Sequence, residues 1–557
     1  MILLALHNGN KRIRAYLTVR RMSPRPEEGI LLADTFCYIT VRQKRCPMTK
    51  ATFLEKRLES VKTFLADFKT PITASLIAGL LSYIFIFTNK LPNHDDAFMM
   101  FNKGIGLESG RWGLSILSMI FPDFSMPWIY GIFAVVFISL AVCVIVKMFD
   151  IKSKVIQATL AALIVSFPSL ATAFSYMFFT YVYALAFLLA VLAAYFVSKR
   201  GVFNYIIAVA LLGFTLSVYQ GFISVAAGLL LVYLVKELVS GEITPKSFIL
   251  NCLRCLVFLI ITLGVYLGVT FIIFAVTGEG FGRYAQNNFA VMNEPLFKRF
   301  LRLYSMFKRE IFDSQNGLIN GNLCRILNII LLLVIAVEGV MFLVRKNAVY
   351  KKLFFVLIAF FFPPAINGMY LITEPKGVHT LVVYGFVTLY VLAAVLAENI
   401  LPENYFGKNI LKDILAVAMT GIVLINVYYA NEAYLRMNLA YQNTFSFYTS
   451  LASQIENNPD FKKGMKVAVV GKENENLYDF SEFKNIDEMK GIRGAYPGMY
   501  SKGEFFKLYI GLDVEFASRK EQRIISRKPT FRKMPVYPYY GSIRKIGNYM
   551  VVKLEQI

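Results

Sequence analysis

Long uncharged apolar runs alternate with short polar breaks from about residue 71 to residue 430. Eleven runs are long enough, at roughly 17–25 residues, to carry a helix across a bilayer's hydrocarbon core. They cover 71–89, 127–147, 155–172, 176–197, 203–219, 221–239, 253–276, 326–344, 353–372, 379–397 and 410–430. Pro363-Pro364 in the ninth run is expected to kink one helix rather than divide it. After every second run the connection is basic or mixed: Lys147 to Lys154, Ser198-Lys199-Arg200, Lys236 to Lys246, and Arg345-Lys346 through Lys351-Lys352. The connections at 173–175 and near Gln220 carry almost no charge. Cytoplasmic loops retain Lys and Arg, so the alternation places the N-terminus inside and, after an odd number of crossings, the C-terminus outside.

Three outer segments are long. Residues 90–126 hold Asn93-His94-Asp95-Asp96, Lys103 and Gly110-Arg111-Trp112, and their apolar stretch Trp112 to Phe121 is too short to span, which suits the interface. Residues 277–325 are basic and aromatic, and Leu296, Phe297, Phe300, Leu301, Leu303 and Phe307 fit a helix lying on a membrane surface. The third is the tail, 431–557, where the runs Val467-Ala468-Val469-Val470 and Tyr549-Met550-Val551-Val552 predict a small α/β domain. Residues 1–47 are polar and basic without lasting periodicity, and Met48 precedes the first pre-membrane basic cluster. The expected division is a disordered or mispredicted extension at 1–47, a transmembrane catalytic domain at 48–430 and an extracytoplasmic domain at 431–557.

Composition sharpens this. The chain of 557 residues is 57% hydrophobic and 17% charged, against about 25% charged for soluble domains. The net charge of +23 follows from basic loops between apolar runs, so it reads as a topology signal and not as a nucleic-acid surface. Six irregularly spaced cysteines predict no disulfide framework, and Cys252 with Cys255 stands without a second pair.

Asp95 and Asp96 lie just after the first run, at the membrane–water boundary. Two adjacent, partly desolvated carboxylates raise each other's pKa, which suits a base taking a proton from an attacking hydroxyl. A solvated loop or helix cap is the bland alternative. Arg111 and Lys103 in the same segment suit a developing phosphate charge, or equally a lipid headgroup. The basic residues of 277–325, on an outer loop, lean toward a lipid phosphate. Glu338, within a run, suits helix packing better than a site, and His379 stands at an outer mouth. Trp112, Tyr181, Tyr183 and Tyr219 fit an interfacial aromatic belt better than a sugar platform. The chain has no nucleotide-binding fingerprint or phosphate-cradling glycine loop, so a sugar donor is not expected to be a nucleotide sugar.

Taken in order, Asn93-His94-Asp95-Asp96, Gly110-Arg111-Trp112, Ser175-Tyr176-Met177-Phe178 leading into Tyr183-Ala184-Leu185-Ala186, and Ser217-Val218-Tyr219-Gln220 resemble the bacterial type II O-antigen (serotype-conversion) glucosyltransferases. The ending Pro535-Val536-Tyr537-Pro538, Gly541-Ser542-Ile543 and Val551-Val552-Lys553-Leu554 is similar to that family's tail. The resemblance runs from about residue 70 to the end. It implies a polytopic, GT-C-like glycosyltransferase of the bacterial plasma membrane that takes glucose or a similar hexose from a polyprenyl-phosphate carrier to a surface polysaccharide or other envelope glycan. It places the catalytic centre at Asp95 and Asp96 and puts Arg111 in the matching glycine-arginine-tryptophan motif; Arg111, Lys103 and His94 are the expected substrate contacts. It leaves open which aspartate is the base; no cofactor is certain, and a divalent metal stays an option without assigned ligands. On this reading Asp96→Asn abolishes transfer while membrane insertion survives. A lipid-linked glycan flippase and a polysaccharide polymerase are the alternatives; a flippase would favour ionisable residues along the bundle and a repeat between halves, which the chain does not show.

Overall fold

The structure, a computed structural model, describes residues 7–8, 11–12, 53–100, 106–122, 124–282, 285–286, 293–313, 321–373, 380–400, 406–472, 477, 480, 483 and 500–556. The chain forms two compact units, Met1–Asp67 and Phe68–Ile557. In the first, β1 (His7–Asn8) pairs antiparallel with β2 (Lys11–Arg12), and α1 covers Phe53–Asp67. Most of the 1–47 extension lies outside the described residues.

In the second unit each of the eleven apolar runs becomes helical. The helices are α2 (Lys69–Thr88), α5 (Pro127–Phe149), α6 (Lys154–Ser166) with α7 (Pro168–Phe174), α8 (Thr180–Ser198), α9 (Val202–Val218), α10 (Ile223–Ser240), α11 (Pro245–Thr277), α13 (Asn322–Val344), α14 (Val349–Ile366), α15 (Val387–Asn399) and α16 (Phe406–Glu456). Between them lie α3 (Asp96–Met99), α4 (Trp112–Ile120) and α12 (Leu296–Phe312). Among the described residues nine helices are long and apolar enough to span, α6 and α7 make a tenth bent by 42°, and α9 has 17 residues. The protein is therefore a multi-pass α-helical membrane protein. The bend has a local cause: Pro168 has no N–H to continue the ladder, and Phe167 before it is extended, at ψ 140. Helix α14 contains Pro363 and Pro364 without dividing, but stops at Ile366, short of the expected 372, and a 3₁₀ turn follows at Gly368–Leu371.

Burial orders the bundle. The helical stretch Thr380–Asn399 is 94% buried and forms its centre, whereas α11 is 22% buried and offers apolar side chains such as Leu253 and Phe271 outward, as a lipid-facing helix does. Tyr83, Ile138, Leu160 and Phe187 fill the space between α2, α5, α6 and α8.

The connections on one side of the bundle bond to one another. Asn93, after the first span, bonds to Ser175, after the third; Arg111 bonds to Gln220, after the fifth; Arg299, after the seventh, bonds to Leu371, after the ninth. The tail returns to this side as well. Helix α16 runs 51 residues, through residue 431 without a break, and its end packs Tyr448, Leu451, Ala452 and Ile455 onto a three-stranded sheet. In that sheet β5 (Tyr549–Lys553) is central, parallel to β3 (Lys466–Val470) and antiparallel to β4 (Ile543–Ile546). Ala97 of α3 belongs to the same apolar cluster as Phe505 and Phe506, so the tail is seated on the segment that carries the acid pair.

Candidate active site

Asn93 folds the acid pair into place. Its side-chain oxygen accepts the Asp95 amide at 3.1 Å, turning the chain into α3, while its own amide donates to Asp96 Oδ2 at 2.7 Å. The other Asp96 oxygen accepts the Phe178 amide at 3.3 Å, and Asn93 Nδ2 reaches Ser175 Oγ at 3.5 Å. Two of the motifs read separately along the chain thus meet. Asp96 is 0% exposed. Burial pushes its carboxyl up to about 8, with the charge of Asp95 adding and the amides of Asn93, Phe178 and Met177 opposing.

Asp95 is the accessible member, its side chain 24% exposed. One oxygen lies 3.6 Å from His94 Nε2, and the other accepts the Tyr500 hydroxyl from the tail. His94 stands edge-on to Tyr176, ring centres 5.9 Å apart. Burial holds the Tyr176 phenol well above its usual range, with Asp95 and Tyr219 adding to the effect.

The other two motifs also meet. Arg111 Nε donates to Gln220 Oε1 at 3.3 Å, and its guanidinium lies 4.8 Å from the centre of the Tyr219 ring. Gln220 Nε2 in turn donates to the Ser109 carbonyl and the Tyr266 hydroxyl, and Tyr266 donates to the Gly110 carbonyl. Gly110 has φ +71, and an added Cβ would lie 2.6 Å from the Tyr266 oxygen, so this position requires glycine. Arg111, Gln220 and Tyr219 line a cavity of about 600 Å³ whose walls are mostly apolar, as at Leu259, Leu263 and Met369, with Ser224 and Thr373 adding further polar groups. Among the described residues Arg111 has no hydrogen bond to either aspartate; the rings of Tyr176 and Tyr219 stand in the series that leads from one to the other.

Lys103 and His379 lie outside the described residues. The basic loop does form an amphipathic helix, α12, in which three arginines are engaged within the protein while Lys298 and Lys308 are exposed. Arg309 pairs with Glu310, which also accepts Tyr370 at 2.7 Å; Arg302 pairs with Glu294; and Arg299 donates to the Leu371 carbonyl. The aromatic-belt expectation fails for three of its four residues. Tyr181, Tyr183 and Tyr219 are buried, because the bundle's own irregular segments supply acceptors: Tyr181 donates to the Phe121 carbonyl and Tyr183 to that of Leu381. Trp112 is half-buried and donates to Thr270 Oγ1 at 3.2 Å. Cys252 and Cys255 are free thiols, and Glu338 is buried within α13. Among the described residues no group of three or more His, Cys, Asp or Glu side chains could hold a metal ion.

Tyr500 escaped the sequence reading because nothing in the mixed polarity of the tail marks a residue that reaches Asp95. The role of Gln220 was equally hidden, since its partners stand 109 and 111 positions away.

No curated protein sequence matches this chain. Among solved structures, the oligosaccharyltransferase of Archaeoglobus fulgidus is similar at 13% identity and a TM-score of 0.37, over 77% of this chain and 62% of that one. The chain therefore spans less than two-thirds of that protein's length. The family described as Glucosyl transferase GtrII matches residues 84–390, which is more than half of the chain and contains the acid pair, Arg111 and Gln220. The chain belongs to this family of membrane proteins.

Proposed function

We propose that the protein transfers glucose or a similar hexose from a polyprenyl-phosphate carrier to a surface polysaccharide or other envelope glycan, on the outer face of a bacterial plasma membrane, with a GT-C-like arrangement. The observation that carries this reading is the cavity: a mostly apolar chamber among membrane helices, with an arginine in its lining, suits an isoprenoid chain ending in a phosphate. Its volume of about 600 Å³ is within the usual span for small-molecule sites, roughly 300–1,000 Å³. The guanidinium of Arg111 offers two donors to phosphate oxygens as the carrier leaves.

Asp95 is the base on this reading. At neutral pH Asp96 keeps its proton, is closed off from solvent and is committed to two amides. Its role is to hold Asn93 and Phe178, and with them the turn that presents Asp95. The acceptor oxygen bonds to the anomeric carbon, Asp95 takes the hydroxyl proton, and the bond from that carbon to the phosphate oxygen breaks, leaving charge on the phosphate beside Arg111.

Purified protein in lipid nanodiscs, given polyprenyl-phosphate [¹⁴C]glucose and oligosaccharide acceptors, should label the acceptor. Full activity in both Asp95→Asn and Asp96→Asn would remove the assignment. Movement of the lipid across the bilayer without glycan labelling would favour the flippase reading.

A further inference from the structure

We infer that the acceptor sugar binds on an aromatic corner formed by Phe98 of α3 and Tyr500 of the tail, and that Tyr500 positions it for Asp95; this rests on the reading of Asp95 as the base. The two rings meet edge to face, 5.7 Å apart at 89°. They are 37% and 55% exposed, while Ala97, Phe505 and Phe506 around them are buried. Core packing between tail and α3 is thus complete without them. An exposed aromatic pair with a carboxylate at its edge matches a pyranose, which offers an apolar C–H face to a ring and hydroxyls at its rim.

The hydroxyl of Tyr500 donates to Asp95, so a sugar resting on this ring has its rim beside the proposed base. Asp95 and the ring come from opposite ends of the chain, and the corner exists only when the tail is seated. Tyr509, four residues past the end of the 502–505 helix turn, packs 5.5 Å under the Lys90 ammonium at the seam between tail and acid segment.

The test uses the full chain in nanodiscs and saturation-transfer NMR with methyl pyranosides of glucose, galactose, rhamnose and N-acetylglucosamine, with no donor present. At least one pyranoside should show transfer to its ring C–H protons. Tyr500→Ala and Phe98→Ala should weaken its apparent affinity about tenfold, as loss of a stacking ring does. Tyr540→Ala, which removes a fully exposed tail ring, should leave it unchanged. Tyr500→Phe keeps the ring and should bind like the wild type, yet lower turnover with donor present. A wild-type protein that binds none of the four pyranosides, or a Tyr500→Ala protein that binds as well as wild type, overturns the inference. Binding that depends on Tyr500 with no transfer from polyprenyl-phosphate glucose would sink the proposed reaction and leave the binding corner standing.

Discussion

The backbone amide of Phe178 donates to the carboxyl of Asp96 across 82 positions of sequence, joining the turn after the third span to the segment after the first. This bond separates the two aspartates chemically: one faces inward to amides, the other outward to Tyr500 and solvent.

Asp95→Asn should lower kcat by about 10²–10⁴-fold, the usual worth of a general base, with insertion and thermal stability retained. The check is a transfer assay beside a thermal-shift curve. Wild-type turnover in this variant would remove Asp95 from the reaction.

Asp96→Asn should act first on folding. An amide presents one acceptor and one donor group where the native side chain receives the Asn93 and Phe178 amides, so one of the two loses its partner. The expected cost is about 1–3 kcal/mol, read as a lowered melting temperature in nanodiscs. An unchanged melting temperature would contradict the buttressing role.

Stability should fall as pH rises. Asp96 ionises at about 8 in the folded protein but near 4 when unfolded, so between these values the folded state holds the extra proton. Its contribution is complete below about pH 4 and is lost as pH climbs through 8. Melting temperature measured from pH 5 to 8.5 should decline in the wild type and decline less steeply in Asp96→Asn.

Arg111→Lys keeps the charge but loses the planar fork, so kcat/KM for the lipid donor should drop roughly tenfold to a hundredfold. Gln220→Ala, which frees the guanidinium from its 3.3 Å partner, should cost less. Steady-state kinetics with varied donor distinguishes them; equal losses would mean that the fork itself is not used.

Gly113→Ala tests the docking of α4 on α9. A Cβ there would lie 2.2 Å from Ser217 Oγ and 3.1 Å from the Ser217 backbone, so α4 must back away. The expected penalty is about 1–3 kcal/mol of stability, with weaker donor binding because Arg111 precedes the same helix. A limited-proteolysis comparison with the wild type reads the first effect.

The spans were legible because each is an uninterrupted apolar run, and most helix ends fall within a few residues of the expected limits. The acid pair was legible by its position after the first run. What could not be read was which motif meets which. Asn93 and Ser175, or Arg111 and Gln220, are brought together by bundle packing, and no local pattern encodes a neighbour 82 or 109 residues away. The buried tyrosines were misread for a related reason. In a bundle apolar on every face, periodicity does not tell the centre from the lipid side, and Tyr183 was settled only by the Leu381 carbonyl that receives it.

The 51-residue helix α16 acts as a ruler between the bundle and the terminal sheet. At 1.5 Å of rise per residue it is about 75 Å long, more than twice a hydrocarbon core of ~30 Å. Each residue inserted in its outer half would lift the terminal sheet by ~1.5 Å and turn it by ~100°, carrying Tyr500 away from Asp95. Changes in its length are therefore tolerable only in near-whole turns, and the height and facing of the terminal sheet are written in the phase of a single helix.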